Sequence, residues 1–138
     1  MHQQIFINLA VKDLGASMAF FRALGYGFNA QFTNEAGACL ELGPNLHAML
    51  LTQPFMAGFT NKPLVDAREG TEVLVCLSCS SRAEVDELVA KARAAGGSVP
   101  REPIDHGFMY GHGFEDLDGH IWELAHMADL AAGGNAAS

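Results

Sequence analysis

What most constrains this chain is that one pattern of elements runs through it twice. Ile5, Ile7, Leu9 and Val11 alternate with Phe6, Asn8 and Ala10. A period of two marks a strand with one covered face. Asp13 follows as an N-cap, Leu14, Met18, Phe21 and Leu24 recur at helical spacing, and Gly25 stops the helix. Three short strands are expected next, over residues 28–33, 38–42 and 46–52, parted by turn formers at 34–37 and 43–45.

The second half repeats this order. Residues 73–79 are rich in strand formers. Ser81 opens a helix, with Glu84 three residues on completing a capping box. Val85, Leu88, Val89 and Ala92 mark its apolar face, and Gly96-Gly97 ends it. Residues 98–102 read as a strand that Pro100 places at a sheet edge. Residues 107–115 and 120–127 read as two further strands joined by Asp116-Leu117-Asp118-Gly119, whose Asp-Gly pair favours a hairpin.

The chain is therefore expected to be α+β and to form one domain over residues 1–128. Module one covers about 1–53, a connector 54–70, and module two about 71–128, with a fraying tail at 129–138. The connector holds Phe55, Met56 and Phe59 between prolines and glycines, so a short helical turn is expected there. A two-layer ferredoxin-like domain is the alternative use of the same elements.

Charge and composition narrow the partners. The net charge is −8 and the eight basic residues are scattered, which argues against nucleic acid and anionic membrane surfaces. No apolar segment approaches the ~18 residues of a membrane span, and residues 1–5 do not resemble a secretory start, so a cytoplasmic protein is expected. Three cysteines, an odd number, fit free thiols in a reducing compartment. Cys76 and Cys79 have redox or zinc-knuckle spacing. With no second pair, and within an apolar run, they read as small buried residues.

Several stretches carry a family resemblance. LAVKDLGASMAFF at 9–21, followed by Leu24-Gly25-Tyr26, resembles the opening strand and helix of the vicinal-oxygen-chelate superfamily, the glyoxalase, bleomycin-resistance and extradiol-dioxygenase proteins. EDLDGHIWEL at 115–124 resembles its closing hairpin, and residues 81–97 its second helix. Residues 105–110 and 28–33 are similar to a bacterial subgroup called predicted lactoylglutathione lyases.

The resemblance implies two βαβββ modules whose sheets curl into a cup, a small-molecule ligand in that cup, and a homodimer. It also implies four metal-ligand positions, which fall at Phe6, about Leu51, about Leu74, and Glu123. Only Glu123 matches. The metal is thus expected to be absent, or to be a divalent zinc, nickel or manganese ion held at a relocated site of His47, Glu72, His112 and Glu123.

These positions define an inner face. It should carry Phe6 and Asn8; His47, Met49 and Leu51; Leu74; and Glu123. Pairing Asp116 with Ile121 in the last hairpin adds Phe114, His112, Tyr110, Phe108 and His106. Glu123, His112 and Tyr110 are the catalytic candidates, and the others are ligand-binding candidates. Two functions stay open. One is a metal-independent binder of a small, partly aromatic compound. The other is a lyase, isomerase or dioxygenase that uses Glu123 as base or metal ligand.

Overall fold

The structure, a computed structural model, describes residues 1–128. The chain divides into two compact units, Met1–Gly70 and Thr71–Ser138. The expected tail at 129–138 lies outside the described residues.

In the first unit the strands β1 (Ile5–Val11), β2 (Gly27–Asn29), β3 (Gly37–Gly43) and β4 (Leu46–Thr52) form a sheet ordered β1-β4-β3-β2. β1 runs parallel to β4, and the other pairs are antiparallel. Helix α1 (Leu14–Ala23) starts where the sequence marks it, with the Asp13 side chain accepting from the Ala16 amide. It buries Phe20 and Phe21 near Leu9, Val11, Ala38, Leu40, Ala48 and Leu50 from one sheet face. Each large side chain so buried contributes roughly 1.5–3 kcal/mol. Gly25 takes a positive φ of 106° at the helix exit.

The strand expected over 28–33 is shorter than its pattern. It stops at Asn29, whose side chain accepts from the Gln31 amide while its carbonyl accepts from the Thr33 hydroxyl. Those local bonds turn residues 30–32 into a single 3-10 turn. The connector contains the expected helical turn, α2 (Gln53–Ala57).

The second unit repeats the topology. β5 (Leu74–Ser78), β6 (Ile104–Asp105), β7 (Met109–Glu115) and β8 (Ile121–Met127) are ordered β5-β8-β7-β6, again with one parallel pair, β5 with β8. Helix α3 (Arg82–Ala94) packs on β7 and β8 and buries Val85, Val89 and Ala92. Ser81 caps it by accepting from the Glu84 amide, but Glu84 bonds back to the Ser80 amide, one residue earlier than the capping-box pattern. The strand expected over 98–102 is reduced to one bridge, Ser98 with Glu115. Pro100 and Pro103 lack the N–H a ladder needs, and pairing resumes only at Ile104–Asp105.

Candidate functional site

The last hairpin sets which side chains meet Glu123. Asp116 does not pair with Ile121, because it turns inward as part of the loop. Its Oδ1 accepts from the Asp118 and His120 amides and its Oδ2 from Trp122 Nε1 at 2.9 Å. Burial pushes this carboxyl's pKa up, against the lowering effect of His120 and of those hydrogen bonds. Pairing therefore starts one residue earlier, with Glu115 opposite Ile121, Phe114 opposite Trp122 and Gly113 opposite Glu123. A one-residue slip exchanges the faces of a whole strand. Phe114, His112 and Tyr110 thus leave the Glu123 face, correcting the expectation. Phe114 is buried with Trp122 and Leu124.

Tyr110 donates its hydroxyl to Asp86 on α3, which with burial raises its pKa, and the Arg82 guanidinium sits 4.9 Å from the ring centre. Arg82 also donates two hydrogen bonds, 2.7 and 2.8 Å, to Asp105. His112 Nε2 lies 2.8 Å from the Arg101 carbonyl oxygen. His106 and Phe108 flank Gly107 in the turn before β7, their rings 6.2 Å apart, and Phe108 is exposed.

On the Glu123 face the register brings together Gly113, Gly111, Met109, Ile121 and Cys76, the last directly opposite Glu123 on β5. This face borders a cavity of about 290 Å³, whose lining also includes residues 100–102, Ile104 and the neighbouring β7 positions His112 and Phe114. Glycine at 111 and 113 keeps its floor flat. Glu115, also in the wall, accepts from the Ser98 hydroxyl at 3.3 Å. Glu123 has no hydrogen-bond or ion-pair partner among the described residues. Cys76 is exposed rather than buried, correcting the reading of the pair. Partial burial, and then the Glu123 charge, push its thiol pKa up. Leu74 lies on the same sheet face and is half exposed.

In the first unit the expected face holds. Phe6, Asn8, His47, Met49 and Leu51 share it. His47 is buried, its ring stacked on Phe6 at 4.6 Å, and its Nδ1 is 2.9 Å from Glu41 Oε1 and 3.9 Å from Cys39 Sγ. Cys39 and Glu41 were missed in the sequence. The available signal was their two-residue spacing on β3, which puts both on the His47 face.

The residues do not fit the family's four-ligand metal. Phe6, Leu51 and Leu74 offer no oxygen or nitrogen, and Leu51 fills its space: a Cβ on Gly37 would lie 2.7 Å from its Cδ2. His112 and Glu123 are on opposite faces of one sheet, so the relocated site is not assembled as expected.

The fold, twice strand–helix–three strands, and a carboxylate at Glu123 on an open sheet face define a class of protein. The chain belongs to the glyoxalase/bleomycin resistance protein/dioxygenase superfamily, whose sequence profile matches residues 3–124. It is 32% identical to hypothetical protein SA1046 from S. aureus, covering 91% of this chain and 95% of that one, with a TM-score of 0.77. A lactoylglutathione lyase from Agrobacterium tumefaciens shares the fold at 18% identity, covering 88% of this chain and 91% of that one, with a TM-score of 0.66. The fosfomycin resistance protein FosX from Listeria monocytogenes shares it at 22% identity, covering 91% and 93%, with a TM-score of 0.65. No curated protein matches the sequence. No helix among the described residues is long and apolar enough to cross a membrane.

Proposed function

We propose that this chain binds one small, largely apolar molecule against the open face of the β5-β8-β7 sheet, with Glu123 as its polar anchor. The observation that carries the reading is the 290 Å³ cavity, walled by Met109, Ile104, Ile121 and Met127 around a carboxylate with no partner among the described residues. Apolar walls with few convergent polar groups are the usual make-up of a small-molecule site. A ligand with a donor group or a positive charge suits Glu123 best.

The test uses catechol, a small aromatic molecule whose hydroxyls can donate to Glu123, as the probe. It is titrated while alkylation of Cys76, a cavity residue, is followed by mass spectrometry. The expected result is saturable protection of Cys76 that Gly111→Leu abolishes, by filling the cavity, with folding intact. Protection that survives in Gly111→Leu, or no protection by catechol, refutes the reading.

Turnover is the second reading, favoured by the same carboxylate. Glu123 would take a proton from the bound molecule as general base in a lyase or isomerase step. Glu123→Gln should then keep binding and lose turnover of the hemithioacetal of glutathione. Full activity in that variant removes the role.

We also propose a cytoplasmic homodimer. Exposed Phe6, Leu46, Phe55, Phe59 and Leu74 support self-association, and the three free thiols support a reducing compartment. A monomer in sedimentation at micromolar concentration counts against the dimer.

A further inference from the structure

We propose that Cys39, Glu41 and His47 form a site for one zinc-class divalent cation on the face of the β1-β4-β3 sheet opposite helix α1. Cys39 and Glu41 alternate on β3, and His47 pairs directly opposite Glu41 on β4. One donor atom from each lies within 4.8 Å of the other two.

The alternative use of these residue types is a proton relay. A Cys-His-acid relay needs the thiol and the carboxylate on different ring nitrogens. Here both approach the same one, Nδ1, at 3.9 and 2.9 Å, while Nε2 is 3.3 Å from Gln4 Nε2. Three ligand atoms within 4.8 Å of one another, two of them beside the same ring nitrogen, suit one shared ion and not a relay.

Two of the three distances are close to those an ion needs, and the third, between Cys39 and Glu41, is within 4.8 Å. A tetrahedral zinc, with about 2.3 Å to sulfur and about 2.0–2.1 Å to nitrogen and oxygen, separates its donors by about 3.3–3.5 Å. The sulfur–nitrogen gap must close by about 0.4 Å and the nitrogen–oxygen gap open by as much. Both are small side-chain rotations.

Charge and surroundings agree. A thiolate and a carboxylate balance the two charges of the cation, which a site with Cys39 1% and His47 7% exposed requires. As the sulfur–metal bond forms, the thiol proton leaves to solvent. The imidazole proton then sits on Nε2, where the Gln4 amide can turn its oxygen to accept it. The Phe6 ring, stacked at an interplanar angle of 14°, holds the imidazole plane. Outer contacts of this kind orient a ligating histidine. The Glu41 side chain is 35% exposed, so the fourth position opens to solvent. Sulfur with imidazole selects zinc, cobalt or nickel over magnesium or calcium.

The test uses the untagged full chain, stripped with chelator and titrated with cobalt(II). A thiolate-to-cobalt charge-transfer band in the near ultraviolet, saturating at one cobalt per chain and displaced by zinc, is expected. Cys39→Ser should abolish the band. Glu41→Gln, at a partly exposed position that keeps the fold, should weaken zinc at least tenfold in chelator competition. Glu123→Gln should change neither. No band and no retained zinc would mean a hydrogen-bonded trio only. A band lost in Cys76→Ser instead would put the thiolate in the other unit. Either result overturns the proposal and leaves the cavity reading in the second unit untouched.

Discussion

Replacing Gly111 and Gly113 by alanine, one at a time, should move stability in opposite directions although the residues lie two apart on one strand face. A Cβ on Gly111 would meet the Leu124 carbonyl oxygen at 3.6 Å and Met109 side-chain atoms at 3.8 and 3.9 Å, ordinary contacts. Gly111→Ala then removes mainly the entropy that glycine loses on folding, a gain of about 0.5–1 kcal/mol. A Cβ on Gly113 would lie 2.7 Å from the Trp122 carbonyl oxygen and 3.4 Å from the Glu123 Cα, both backbone. That backbone cannot give easily, because the Trp122 indole is buried and bonded to Asp116. Overpacking of this kind costs about 1–3 kcal/mol. The two variants should therefore differ by about 1.5–4 kcal/mol, read as separated midpoints at equal slopes in urea unfolding. The methyl of Gly111→Ala also enters the cavity, so this more stable protein should protect Cys76 with catechol less well. If Gly113→Ala is as stable as Gly111→Ala, the close approach of β8 is not rigid and the account of the cavity floor fails.

Trp122→Phe removes the donor to a buried Asp116 oxygen and should cost at least about 1.5–3 kcal/mol in urea unfolding; a loss under half of that would show the bond to be dispensable. Hydrogen bonds from Arg82, then from the Gly107 amide, hold the Asp105 carboxyl well below the usual carboxylate range. Its contribution to stability is present above the unfolded value near 3.8 and is lost only as pH falls through the lowered folded value, so NMR should show Asp105 still charged at pH 3 and titrating at higher pH in Arg82→Ala, where the hydrogen bond from the Gly107 amide remains to lower it. Burial, then Glu84 and Cys76, push the Cys79 thiol from 9.0 to about 11, leaving about a hundredfold less thiolate at pH 8. Cys79 should accordingly alkylate about a hundredfold more slowly than an ordinary thiol, as peptide mapping would show.

The duplicated element order was legible because strand alternation and helix caps are local. Asp13 and Ser81 both cap the helices they were expected to cap. The faces of β1, β4, β5 and β8 followed once the family resemblance marked Phe6, Leu51, Leu74 and Glu123, since residues two apart share a face. The register of the last hairpin was not, because the loop length hinges on whether Asp116 joins the strand or folds into the turn. A tryptophan needs a partner for its N–H as well as burial. Matching Phe114 with Trp122 as the two largest apolar residues of that hairpin gives the observed pairing. Cys39 and Glu41 escaped notice for another reason: they gain meaning only once β3 is laid beside β4.

The shared topology allows the two corresponding sheet faces to be compared position by position. Phe6 pairs with His47 as Leu74 pairs with Ile121, and Asn8 pairs with Met49 as Cys76 pairs with Glu123. Gly37 opposes Leu51 in one sheet, and Gly111 opposes Ala125 in the other. Where the first unit has leucine over its glycine, the space is filled and Leu51 is 2% exposed. Where the second has alanine, the space stays open and becomes part of the cavity. Cys39 likewise stands where the second unit has Gly113, and His47 where it has Ile121. The polar trio of one sheet and the cavity of the other are thus different fillings of one backbone frame. This comparison makes a last prediction. Ala125→Leu should close the cavity as Leu51 closes its counterpart, abolishing Cys76 protection by catechol while raising stability through the added apolar burial, by up to about 1.5–3 kcal/mol. A variant that loses stability and keeps protection would show that the two faces are not equivalent.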